Sequence, residues 1–95
     1  VDSITSSNGQ EDHVSMGMTA AYKANEVIDN VYIVLAIELM TVAQALDLRK
    51  PLTSSPQIVK FVNTFRETVS FINEDRVLHD DIEAATNFLH DYQFE

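Results

Sequence analysis

Ninety-five residues suffice for one small domain or for part of a larger one, and a hydrophobic fraction of 45% is that of a folded chain. Fifteen acidic residues against six basic ones leave a net charge of −9, which repels phosphate backbones and anionic headgroups and argues against nucleic acid or membrane surfaces as partners. With no cysteine, disulfides, thiolate metal sites and cysteine nucleophiles are all excluded.

No basic stretch followed by an apolar run opens the chain, so no signal peptide is expected. The first residue is Val1 rather than Met, and the chain is expected to be a segment of something longer. Residues 1–9 are rich in Ser, Thr, Asn and Gly and read as a loop. Helix formers then dominate as far as Leu48, interrupted only by Gly17, and predict one long helix over 10–48. Within it, NVYIVLAIELMTVAQAL (residues 30–46) is apolar almost all the way round. Its interior polar residues, Glu38, Thr41 and Gln44, step by three and share one narrow stripe.

A membrane span is disfavoured, because this run is shorter than the ~20 residues a bilayer needs and carries Glu38 near its middle. A helix of about 35 residues measures roughly 52 Å at ~1.5 Å per residue. A compact domain of this size is only about 30 Å across. The helix is therefore expected either to break at Gly17 or to be covered by chain outside these residues, within a larger helical assembly. Glu38, an acid in the most apolar stretch, is expected to find a partner on another helix.

DLRKPLTSSP (residues 47–56) ends that helix. Pro51 disfavours helix at Lys50, and Ser55-Pro56 reads as an N-cap followed by Pro at the first helical position. A second helix is predicted over 55–72, with Ile58, Val62, Phe65, Val69 and Ile72 on one face. Asp80 with Glu83 forms a capping-box pattern for a third helix over 80–92, whose apolar residues are Ile82, Ala85, Phe88, Leu89 and Tyr92. Nothing reads as a strand, and no repeat or low-complexity tract occurs. The expected class is all-α, one very long helix plus two shorter ones, as part of a larger helical bundle.

The chemistry-bearing stretch is GQEDHVSMGM, residues 9–18. Asn8 or Gly9 can cap the long helix with Glu11 reaching back, and Glu11 and Asp12 then sit where the helix dipole favours anions. Alternatively, Glu11 is a carboxylate in a partly desolvated cleft, its pKa raised for proton transfer. The residues alone leave both open. A metal site from Glu11, Asp12 and His13 is disfavoured, since consecutive helical residues point about 100° apart. His79 with Asp80 and Asp81 is accounted for by capping, and His90-Asp91 by a solvated face. Met16 and Met18 read as gap-filling core residues.

SSNGQEDHVSMGMTAAYKANEVIDNVYIVLAIELMTVAQALDLRK resembles the C-terminal part of the histidine ammonia-lyases, with VDSI and NEDRVLHDDIEAA in keeping on either side. The combination of QEDHVSMG, VLAIEL and AQALDLR is specific, and the resemblance covers nearly the whole chain. It implies a cytoplasmic, largely helical homotetramer that eliminates ammonia from L-histidine to give urocanate. It also implies active sites built from several subunits around a methylidene-imidazolone group formed from an internal Ala-Ser-Gly. By position, Gln10 and Glu11 match motif residues that line the active site as substrate-binding groups. Glu11 corresponds to the catalytic carboxylate beside the substrate imidazole. The related phenylalanine and tyrosine lyases usually have an amide there, so Glu11 favours histidine. Asp12 and His13 are expected only to order the helix start.

Two departures stand out. Gly9 precedes Gln10 where relatives often have Asn, and no Ala-Ser-Gly occurs in these residues. The electrophile is therefore expected upstream, leaving this segment inactive alone, with neither cofactor nor metal of its own. The competing expectations are a lyase or aminomutase acting on another aromatic amino acid, and an autonomous helical oligomerisation module.

Overall fold

The computed structural model describes residues 3–5, 13–15 and 17–94, with side chains from residue 17 onward. It contains a short antiparallel strand pair, β1 (Ser3–Thr5) and β2 (His13–Ser15), then helices α1 (Gly17–Leu48), α2 (Pro56–Arg66) and α3 (His79–Asp91). The chain forms two compact units, Val1–Val31 and Tyr32–Glu95. The architecture is all-α, as expected, apart from that one strand pair.

In the first unit, Ser3 pairs with Ser15, Ile4 with Val14 and Thr5 with His13. Ile4, Thr5 and Val14 are residue types that favour extended backbone. This corrects two expectations: that no strand forms, and that a loop over 1–9 leads into a helix from residue 10. Residues 13–15 are committed to the ladder, so the helix starts at Gly17, and its first turn carries no acidic residue. The cap expected from Asn8 or Gly9 therefore does not belong to α1. Met18 is 74% exposed and is not a core filler; Met16 lies outside the described residues.

The second unit holds the core. α1 contributes Ala36, Leu39, Met40 and Ala43, α2 contributes Val62 and Phe65, the chain after α2 adds Val69, and α3 adds Ala85. The three alanines are fully buried, as is Phe65. Phe65 meets Phe88 edge-on at 5.3 Å, and Phe61, Tyr92 and Phe94 extend the aromatic cluster at 4.7–5.5 Å between centroids.

α2 begins as its sequence indicates. The Ser55 hydroxyl accepts from the Ile58 N–H at 3.4 Å, with Pro56 at the first helical position. It ends at Arg66, however, not at residue 72. The Val69 carbonyl accepts from Arg66, those of Ser70 and Phe71 from Arg76, and that of Ile72 from Gln44. In a helix ending at residue 72 these four carbonyls would be the unpaired last turn; here each is satisfied by a side chain in an irregular segment instead. Val69 is still buried, reached by a turn rather than by helix.

α3 lies within one residue of its predicted bounds, but the Asp80–Glu83 capping box is not formed. Leu78 occupies the N-cap with no side-chain bond. Asp81 is held instead by Arg76, and the two acids of the first turn suit the dipole.

α1 buries only four of its 32 residues, all between Ala36 and Ala43. Val27, Val31, Val34, Leu35 and Val42 are exposed, and so is Glu38, for which no ion pair occurs among the described residues. The partner expected on another helix of this chain is absent from that set. At full length α1 is also long and apolar enough to cross a membrane, which removes the length objection drawn from residues 30–46.

Candidate functional site

The residues that carry the sequence motif, Gln10, Glu11 and Asp12, lie outside the described residues. Their neighbour His13 belongs to β2, its Cα paired with that of Thr5. The described polar chemistry is concentrated where α1, α2 and the 67–78 segment meet.

Arg66, the last residue of α2, donates from Nε to Asp47 Oδ2 at 2.9 Å and from Nη1 to the Val69 carbonyl at 3.2 Å. Its Nη2 lies 2.8 Å from the same Asp47 oxygen but is not aligned for a hydrogen bond and is otherwise unpartnered. The guanidinium carbon also sits 5.9 Å from the ring centroids of Phe65 and Phe71. Lys50 Nζ approaches Asp47 Oδ1 at 3.2 Å from the solvent side. Burial pushes the Asp47 carboxyl up. Hydrogen bonds from Lys50 and Arg66, together with their charges, outweigh that effect and hold it below the usual carboxylate value.

A turn along α1, Gln44 pairs its amide with the backbone of Ile72, donating to the carbonyl at 2.7 Å and accepting from the N–H at 3.1 Å. Arg76 grips Asp81 through two nitrogens, at 2.9 and 3.3 Å, and also donates to the Ser70 carbonyl at 2.9 Å. These three anchors fix the 67–78 segment. None forms a nucleophile–base pair or a proton relay, so the cluster is built for positioning. A nearby cleft of about 410 Å³ is lined by Ile37, Met40, Gln44, Leu48, Ile72 and Ile82 among others. It has no titratable side chain and suits an apolar group.

His79, Asp80 and Glu83 present ligand atoms within 4.8 Å of one another. All three are exposed, and His79 Nε2 lies 3.5 Å from Glu83 one turn on, the geometry of a solvated helix pair. His90 was expected on a purely solvated face. It is exposed but stacks on Tyr32 of α1, with ring centroids 3.8 Å apart and planes 20° from parallel.

Sequence reasoning missed Arg66, Arg76 and the pairing of Gln44. The one signal available was Gln44 itself, an amide within the most apolar stretch of α1. Its partner is a backbone 28 residues away, which no local pattern announces.

Residues 1–67 match the model of the family described as aromatic amino acid lyase. The chain is 55% identical over 89 residues to the histidine ammonia-lyase of Anaeromyxobacter sp. (strain K), covering 94% of this chain and 18% of the relative. It is 52% identical over 90 residues to that of Symbiobacterium thermophilum, covering 95% and 18% of the two chains. With that of Shewanella oneidensis it shares 45% over 94 residues, covering 99% and 18%. The chain thus spans 18% of the length of these curated relatives. With more than half of its residues matched to the family and relatives this similar along nearly its whole length, the chain belongs to the aromatic amino acid lyase family.

Proposed function

We propose that this chain is the C-terminal helical segment of a histidine ammonia-lyase. The parent enzyme eliminates ammonia from L-histidine, breaking the Cα–N bond and a Cβ–H bond to leave the double bond of urocanate. The observation that carries the reading is 55% identity to a relative of that name across 94% of the chain. Glu11 within QEDHVSMG supports histidine over phenylalanine or tyrosine as substrate, because a carboxylate can bind and orient an imidazole N–H as a neutral amide does less well.

In this reading Gln10 and Glu11 contribute to substrate binding, and Glu11 also moves a proton during elimination. The methylidene-imidazolone group supplies the electrophile that activates the substrate. No Ala-Ser-Gly is present in these residues to form it, so in this reading it comes from outside this segment. No metal is assigned a role.

The same reading makes the parent a cytoplasmic homotetramer that covers the apolar face of α1 by self-association. An exposed apolar helix with few buried residues supports this, since such a face calls for a partner. The net charge of −9 supports a partner other than nucleic acid or a membrane surface.

The test is urocanate formation from L-histidine, followed by ultraviolet absorbance, with the full-length parent and this segment assayed in parallel. Activity in the parent and none in the segment is the expected result. A folded, tetrameric parent that releases ammonia from another aromatic amino acid but not from histidine would overturn the substrate assignment.

A further inference from the structure

We propose that α1 pairs with α1 of a second copy in antiparallel orientation, each copy setting Lys23 against Glu38 of the other. The proposal rests on the self-association just described and adds its orientation and register.

The face of α1 turned away from the buried Ala36, Leu39, Met40 and Ala43 carries Val27, Val31, Val34, Glu38, Thr41 and Ala45, recurring at intervals of three and four. The three valines are 48–61% exposed. They are compact, branched residues of the kind that lets two helices approach closely, and a single charge, Glu38, interrupts the apolar row. Lys23 flanks the same row fifteen positions earlier. Neither charge enters an ion pair among the described residues.

The pattern is self-complementary. Lys23 and Glu38 are equidistant along the helix from a point between Asn30 and Val31, and Val27 and Val34 are equidistant from the same point. A two-fold axis there sets Val27 on Val34 and Lys23 on Glu38, each contact made twice, as an isologous interface requires. A parallel pairing in register would instead set Glu38 beside Glu38 and Lys23 beside Lys23. Like charges so placed are repulsive, and more so once water is excluded. The charges therefore select the antiparallel arrangement.

The experiment uses the full-length parent and follows assembly by sedimentation velocity over a dilution series at low ionic strength. The variants are Lys23→Glu, Glu38→Lys and the double exchange, with circular dichroism as the check on folding. Each single reversal is expected to raise the dissociation midpoint by about tenfold or more, and the double exchange to restore it to within about threefold. Fifteen positions apart on one helix, the two residues cannot pair within a copy, so restoration reports a contact between copies. If a reversal unfolds the protein, Lys23→Gln and Glu38→Gln carry the test, the double being expected to weaken assembly no more than either single. Weakening by the singles without recovery in the double overturns the register and leaves self-association standing. Assembly untouched by any variant overturns it as well. A monomeric parent would remove self-association itself, and the pairing with it.

Discussion

Gln44 and Ile72, 28 residues apart, exchange two hydrogen bonds, the amide of one pairing with both backbone groups of the other. The pairing resembles one rung of a sheet, built between a helix side chain and a loop. Without it, the Ile72 N–H and C=O would be half-buried with no partner. Gln44→Ala in the full-length parent is therefore expected to cost about 1–3 kcal/mol locally, the penalty of an unmade buried hydrogen bond. The measurement is amide hydrogen exchange at Ile72, which should quicken by roughly tenfold or more. Unchanged protection at Ile72 would show that the loop is fixed by Arg66 and Arg76 alone.

The pair between Asp47 and Arg66 predicts a pH dependence with a definite sign. The folded pKa of Asp47 lies below its ordinary value, burial being outweighed by Lys50 and Arg66. A depressed carboxylate stabilises the fold fully above the ordinary value of about 3.9, and that contribution is lost as pH falls through the folded value. This group should thus contribute a flat stability profile from about pH 5 to 7 and a decline below about pH 4. Asp47→Asn should remove that part of the acid decline. It should also destabilise at neutral pH by roughly 3 kcal/mol, because Arg66, with only 17% of its side chain exposed, loses its counter-charge. Denaturant titrations of parent and variant at several pH values read both effects.

How much was legible in the sequence divides along physical lines. Helix-former composition located α1, apolar spacing located α2, and Ser55-Pro56 marked the start of α2, because those signals reside in neighbouring residues. The core face was legible too, through Val62, Phe65, Val69 and Ala85. The end of α2 was not, since the carbonyls beyond Arg66 are taken by the side chains of Arg66, Arg76 and Gln44, pairings that apolar periodicity does not record. The β1–β2 pair was hidden for a similar reason: each strand is three residues long, too short for alternation to register. Of the expected active-site residues, Gln10 and Glu11 were identified through family resemblance, not through any spacing that chemistry demands.

Two residues on the predicted face of α2 separate what pattern alone cannot. Phe65 is fully buried against Phe88, whereas Ile58, two turns earlier, is 45% exposed. Phe65→Ala should cost about 3–5 kcal/mol, and Ile58→Ala about 1 kcal/mol or less within this unit. Thermal unfolding of the two full-length variants compares them directly. If Ile58→Ala proves as costly as Phe65→Ala, the exposed edge of α2 is covered in the assembled enzyme.

Glu11 offers the sharpest functional prediction, because it separates a catalytic carboxylate from a helix-start acid. α1 begins at Gly17, six residues beyond Glu11 in the sequence, so Glu11 is not in its first turn. Glu11→Gln in the full-length parent is thus expected to leave the circular dichroism and the assembly unchanged. Turnover of L-histidine should fall by about 100-fold or more, the scale on which a positioned acid–base group acts. Urocanate absorbance measures the rate. The amide is also the residue usual in the phenylalanine and tyrosine branch, so relative activity towards those substrates should rise. A variant that keeps full histidine activity would remove Glu11 from the chemistry and leave the substrate preference to residues outside this segment.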